Sequence, residues 1–152
     1  MRILMVCIGN ICRSPMAEGL LKNKVKQNYL DWTVSSAGTQ ARAGQTPHKY
    51  SQKTCLSNGI NIAAKGARRF RAEDLAAYDK IYAMSEDVID EIKGIGGPDA
   101  DYSHVDLLLN EMEPGSNSSV PDPLNGPEQW FLIVYEMLDK VTDAIINKYK
   151  QQ

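Results

Sequence analysis

Residues 2–15, RILMVCIGNICRSP, pass straight from an apolar run into glycine, asparagine, cysteine, arginine and serine. Arg2–Val6 reads as a buried strand, because it is short, apolar and bounded by polar or turn residues. Pro15 suits the first turn of a helix, and Met16, Leu20, Leu21 and Val25 follow at helical spacing as far as Gln27. A strand that feeds a helix through so short a loop is the opening unit of an α/β sheet.

The rest of the chain repeats that alternation. Ile81–Met84 and Val105–Leu109 read as further buried strands, and Trp32–Ser36 as a shorter one. Between them lie helical patterns at Pro47–Ser57, closing at Asn58-Gly59, at Arg71–Tyr78, and at Ser85–Ile92 with Ser85 as N-cap. A last helix is predicted over Glu128–Tyr149, with Trp130, Ile133, Val134, Met137, Leu138, Val141 and Ile145 toward the core. The expected fold is α/β: a three-layer, doubly wound, four-stranded parallel sheet with helices on both faces, one domain over residues 1–152. The long irregular stretch is Asn110–Pro127, and a loop of that length in a compact domain is usually functional.

Composition narrows the partners. A formal charge of −2, with 43% hydrophobic and 24% charged residues, describes an ordinary globular chain without long-range attraction for nucleic acid or anionic membranes. No apolar run is long enough to cross a bilayer, and no signal region follows the N-terminus. Three cysteines cannot all pair within one chain, so a reducing, cytoplasmic location is expected. Cys7, Cys12, Cys55, His48 and His104 do not fall into paired ligand spacings, so neither metal nor cofactor is expected.

Ligands of α/β sheets bind beyond the carboxyl ends of the strands, where Cys7 stands. The loop Ile8, Gly9, Asn10, Ile11, Cys12, Arg13 can turn several backbone N–H groups into one concavity at a helix N-terminus, which suits a tetrahedral oxyanion. Gly9 and Asn10 tolerate the backbone angles such a turn needs. Arg13 can hold two phosphate oxygens at once, and the amides, the helix end and Arg13 all aim positive charge at Cys7, the condition for a nucleophilic thiolate. Ser14 can donate to that sulfur as it leaves. A proton donor is also required, and Asp122 in VPDPLNG is the candidate, stiffened by Pro121 and Pro123.

CIGNICRSPMAEG resembles the phosphate-binding loop of low-molecular-weight protein tyrosine phosphatases. VSSAG resembles that family's second strand and turn, the TPH…NGI run its second helix and exit, and the Asp-Pro of VPDPLNG its general-acid loop, so the likeness is collinear over the chain. The resemblance implies Cys7 as nucleophile, Arg13 as phosphate clamp and Asp122 as general acid and then base. It further implies Asn10 as loop support, Ser36 as hydrogen-bonding support, and a phosphorylated protein as substrate. It implies Cys12 as a trap for oxidised Cys7, whereas the residues alone equally allow Cys12 as a small buried hydrophobe.

The chain departs from the family at several positions. Ala64 stands where a His is common and Ser85 where an Asp is common, which predicts a repacked, more apolar shell behind the loop, in which a buried unpaired Glu18 would be out of place. Leu124 and Asn125 replace an aromatic pair, and TQARAGQ lacks an aromatic, so thinner walls against a substrate ring are expected. Of the rival activities, arsenate reduction needs relay cysteines that residues 80–104 lack. A protein arginine phosphatase would favour a small Thr where Ile11 stands, and a mere phosphate-binding module would not need both Cys7 and Asp122.

Overall fold

A computed structural model describes residues 1–152. Four strands, β1 (Arg2–Cys7), β2 (Thr33–Gly38), β3 (Lys80–Ala83) and β4 (Val105–Leu107), form one parallel sheet in the order β2-β1-β3-β4. Helices α1 (Arg13–Gln27), α2 (Lys49–Leu56), α3 (Asp74–Ala77), α4 (Glu86–Gly96) and α5 (Glu128–Tyr149) cover it. The fold is the expected three-layer, doubly wound α/β arrangement.

After the exposed Arg2, β1 is apolar from Ile3 to Cys7 because successive side chains enter opposite cores. Ile3, Met5 and Cys7 join the larger core with residues of α1, α2 and α5, while Leu4 and Val6 join the smaller core with Leu75 of α3 and Val88 and Ile92 of α4. The chain winds to β2 on one side of β1 and to β3 on the other. Cys7 therefore ends the strand where the winding reverses, the place where an α/β sheet opens a crevice.

Several boundaries differ from the sequence reading. β2 runs on to Gly38, pairing Ala37 with Val6 and Gly38 with Cys7. Glycine is needed there, since a Cβ on Gly38 would lie 2.5 Å from the Ile8 carbonyl oxygen and 2.8 Å from the Asn10 nitrogen. β4 stops at Leu107, and Leu108–Glu111 turn into a 3-10 helix, because Asp106 Oδ1 accepts from the Leu107 N–H and from Asn110 Nδ2. α4 extends past Ile92 to Gly96, and Ser85 stands at its N-cap with its hydroxyl donating to the Asp87 carboxylate rather than accepting a backbone N–H.

The buried stripe of α5 is turned relative to expectation. Phe131, Val134, Leu138, Val141 and Ile145 are buried, whereas Trp130 and Ile133 are 48% and 54% exposed and Met137 is only half-buried. Both stripes satisfy helical spacing, and a tertiary partner decides between them: the Phe131 ring stacks on His48 at 4.7 Å and meets Tyr50 edge-on at 5.4 Å.

Candidate active site

The loop from Ile8 to Arg13 is anchored on both cores, with Ile8 packed against the smaller and Ile11 against the larger. Asn10 adopts φ 57°, a left-handed angle that asparagine tolerates better than most residues. Neighbouring segments pin the loop backbone: Thr39 and Gln40 N–H groups donate to the Cys7 and Ile8 carbonyls at 3.0 and 2.8 Å, and the His48 N–H to Ile11 at 2.8 Å. Cys7 is 3% exposed, and its sulfur accepts the Asn10 N–H at 3.3 Å.

Counting hydrogens orients the side chains around that sulfur. Asn10 Nδ2 has two, given to Ser14 Oγ at 2.8 Å and Ser36 Oγ at 2.9 Å. Its Oδ1 is occupied by the Arg68 backbone N–H at 3.0 Å, which holds the amide in this sense. Ser36 passes its own hydrogen to Glu18 Oε1 at 2.6 Å. Ser14 Oγ, accepting from Asn10, lies 2.9 Å from Cys7 Sγ and is the donor of that contact whenever the sulfur is a thiolate. The chain of bonds from Glu18 thus ends at a hydroxyl beside the sulfur.

Arg13 is buried at the start of α1, with 4% exposure. Its Nη1 donates to the Val120 carbonyl at 3.0 Å and its Nη2 lies 3.7 Å from Asp122 Oδ2. Val120 is fixed in turn by its N–H to the Met84 carbonyl at 2.7 Å, just past β3. Asp122 Oδ1 accepts the Leu124 N–H at 3.1 Å, leaving Oδ2 on the side of Arg13. Arg13 and Asp122, singled out from the sequence, are therefore neighbours, with Arg13 closing the loop that starts after Cys7.

The shell behind the loop is not the apolar one anticipated. Glu18 is buried but paired, accepting from Ser36 Oγ and from Lys22 Nζ at 2.6 Å, with Lys65 Nζ 3.8 Å away. Lys65 also donates to the Ser36 carbonyl at 3.0 Å, and burial draws this ammonium below the ordinary lysine range, partly offset by Glu18. Ala64 is exposed and contributes nothing polar. The neighbouring Lys65 brings its charge to Glu18 instead, which the residue type at 64 alone did not disclose.

Cys12 and Cys55 are buried free thiols, each pushed up to about 12, Cys55 by burial alone and Cys12 by burial followed by its proximity to Cys7 and Asp122. Cys12 is thus a neutral packing group in the reduced protein. Leu124 and Asn125 are exposed after the acid loop, in line with a thin wall there. His48 caps α2, accepting the Tyr50 N–H on Nδ1 at 3.1 Å, and His104 bonds the Leu75 carbonyl, so the two imidazoles are engaged separately; no three metal-ligating side chains converge. Sequence reasoning missed Val120, Lys65, the Arg68 backbone and His48. Only His48 carried a signal, standing at a helix start directly after Pro47.

Over residues 2–152 the chain matches the family of low molecular weight phosphotyrosine protein phosphatases. The protein of that name from Sus scrofa is 32% identical over 151 residues, 97% of this chain and 95% of its own. The solved low molecular weight protein tyrosine phosphatase of T. tengcongensis superposes with a TM-score of 0.88 at 32% identity, covering 97% of this chain and 99% of its own. The YwlE arginine phosphatase of Bacillus subtilis, solved as a mutant with a phosphorylated active-site serine, superposes with a TM-score of 0.92, covering 100% of this chain and 97% of its own. At 24% identity that last likeness carries the fold alone.

Proposed function

Since this chain belongs to the low molecular weight phosphotyrosine protein phosphatase family, we propose that it hydrolyses phosphotyrosine in proteins through a phosphocysteine intermediate. The observation that carries the reading is the Cys7 sulfur, which accepts the Asn10 N–H and lies 2.9 Å from Ser14 Oγ, inside a loop whose closing residue is the buried Arg13.

Cys7 attacks phosphorus, forming the S–P bond as the P–O bond to the tyrosine breaks. Asp122, held beside Arg13, protonates the departing phenolic oxygen. The Arg13 guanidinium binds the phosphoryl oxygens, and its charge is worth most where charge spreads in the trigonal-bipyramidal transition state. In the second half, Asp122 takes a proton from water, water attacks phosphorus, and the sulfur leaves as thiolate. Ser14 is the group that eases this departure, because its hydroxyl lies 2.9 Å from Cys7 Sγ and can donate to the thiolate as it forms.

Cys12 enters the proposal only after oxidation. With Cys7 as a sulfenic acid, condensation with the Cys12 thiol forms the S–S bond and releases water. Three free buried thiols suit a reducing compartment, and the cytoplasm is the proposed location. No helix is long and apolar enough to cross a membrane.

The reading is tested with para-nitrophenyl phosphate and with matched phosphotyrosine and phosphoarginine peptides. Wild-type protein is expected to release a burst of nitrophenol followed by steady turnover, Cys7→Ser to do neither, and phosphotyrosine to be the faster peptide. Faster phosphoarginine turnover would move the protein to the guanidinium substrate class. Absence of any turnover would leave only the phosphate-binding module.

A further inference from the structure

Beside the acid loop lies a cleft of about 300 Å³ lined by Pro121, Asp122, Pro123, Trp130, Ile133 and Val134. Asp122 is its one charged residue. Trp130 and Ile133 present surface that the core of α5 does not use, one helical turn apart and therefore on one side of the helix. The other wall is the pair of prolines that stiffen the acid loop.

The indole is held in place by the turn that follows Asp122. The Leu124 N–H is bonded to Asp122 Oδ1, and the Gly126 N–H closes the turn on the Pro123 carbonyl at 2.9 Å. Gly126 is packed directly under Trp130, and a Cβ there would overlap the ring. The half-exposed Trp130 is thus a wall of fixed position relative to the carboxyl group, while Leu124 and Asn125 supply no aromatic surface after the Asp-Pro.

We propose that this cleft is a substrate subsite that takes an apolar side chain flanking the phosphotyrosine of a protein substrate. The inference rests on the phosphatase reading above. That reading requires the phenolic oxygen to sit at Asp122, so the peptide must run along the rim that Asp122 shares with the cleft. The continuity of the two sites through this one residue selects a segment of the substrate as occupant. A volume of about 300 Å³ accommodates a leucine- or phenylalanine-sized side chain. Apart from Asp122, which faces Arg13, the lining is apolar, and it offers no partner for an acidic side chain, which would lose its water without compensation.

The test compares phosphotyrosine peptides that carry Leu, Phe, Ser or Glu on either side of the tyrosine. Each kcat/KM is divided by that of para-nitrophenyl phosphate for the same preparation, so a folding defect cancels. Wild-type protein is expected to favour the Leu and Phe peptides about tenfold, mainly through KM. Trp130→Ala and Ile133→Ser are each expected to bring that ratio toward one. No preference in wild type, or a preference that survives both substitutions, overturns the subsite. Sedimentation that shows a dimer at assay concentration, lost in Trp130→Ala, also overturns it by assigning the face to a second copy. A wild-type protein inactive on para-nitrophenyl phosphate would instead bring down the phosphatase reading itself, and the subsite with it.

Discussion

Arg13 Nη1 donates to the carbonyl oxygen of Val120 at 3.0 Å, joining residues 107 positions apart in the chain. One guanidinium edge thereby fixes the base of the loop that carries Asp122, while Nη2 is directed toward the acid itself. The proposed clamp and the proposed proton donor are positioned by the same planar group.

Arg13→Lys is therefore expected to lose more than charge. A single ammonium cannot hold Val120 and two phosphate oxygens in one geometry, so kcat should fall by roughly a hundredfold or more. Steady-state kinetics on para-nitrophenyl phosphate measure it, and a kcat within a few-fold of wild type would show that the shared geometry is unimportant.

Glu18 anchors Ser36, which accepts one of the two Asn10 hydrogens and so steadies the amide that also holds Ser14. Glu18→Leu removes the acceptor for the Ser36 hydrogen and leaves Lys22 and Lys65 without their carboxylate, at a cost of about 1–3 kcal/mol. Glu18→Gln keeps an oxygen facing Ser36 and should be milder. Rapid-mixing experiments should show the larger nitrophenol burst in Glu18→Leu, because departure of the sulfur slows once Ser14 is no longer held as its donor.

Asp122→Asn should lower kcat by roughly 10²–10⁴-fold. The loss is expected to be smaller for para-nitrophenyl phosphate than for phenyl phosphate, whose more basic leaving oxygen needs the proton more. Equal losses on both esters would assign Asp122 to loop structure rather than to protonation.

His48 makes stability depend on pH. Burial, then the neighbouring Lys49, hold its imidazole below the ordinary value of 6.5, and its unprotonated Nδ1 accepts the Tyr50 N–H at the start of α2. The folded protein thus binds this proton less readily than the unfolded chain. The stabilisation is present above pH 6.5 and is lost as pH falls through the unfolded and then the folded value. Melting curves at pH 7.5 and pH 5 should show a larger drop in Tm for wild type than for His48→Asn, which can cap the helix without titrating there.

Gly38→Ala should fail in both stability and activity. Its Cβ would press on the Ile8 carbonyl and the Asn10 nitrogen, two backbone groups of the phosphate loop that cannot turn aside as a side chain would. A loss of about 1–3 kcal/mol is expected by urea denaturation, accompanied by a fall in kcat.

Much of the molecule was legible in local patterns. The strand at Arg2–Val6 is legible because a segment buried on both faces must be apolar at each position, as Ile3–Val6 are, and α1 because its apolar residues recur at one period behind a proline. α5 shows where such reading stops. Its extent was clear, but Trp130 and Phe131 are adjacent aromatics that fit a helical stripe equally well. Only the stacking of Phe131 on His48, brought from a segment more than eighty residues earlier, decided which was buried.

The alternating strands and helices, the loop CIGNICR at a strand's carboxyl end and the candidates Cys7, Arg13 and Asp122 can be read along the chain alone, because they depend on period, on residue chemistry and, for Asp122, on its irregular loop and flanking prolines. Tertiary structure alone decided which way the Asn10 amide faces, that Glu18 is satisfied by Lys22, Lys65 and Ser36, that Val120 receives Arg13, and that Trp130 borders the acid loop. Hydrogen bonds and packing between distant segments depend on where the folded backbone brings their groups, and no local pattern encodes those positions.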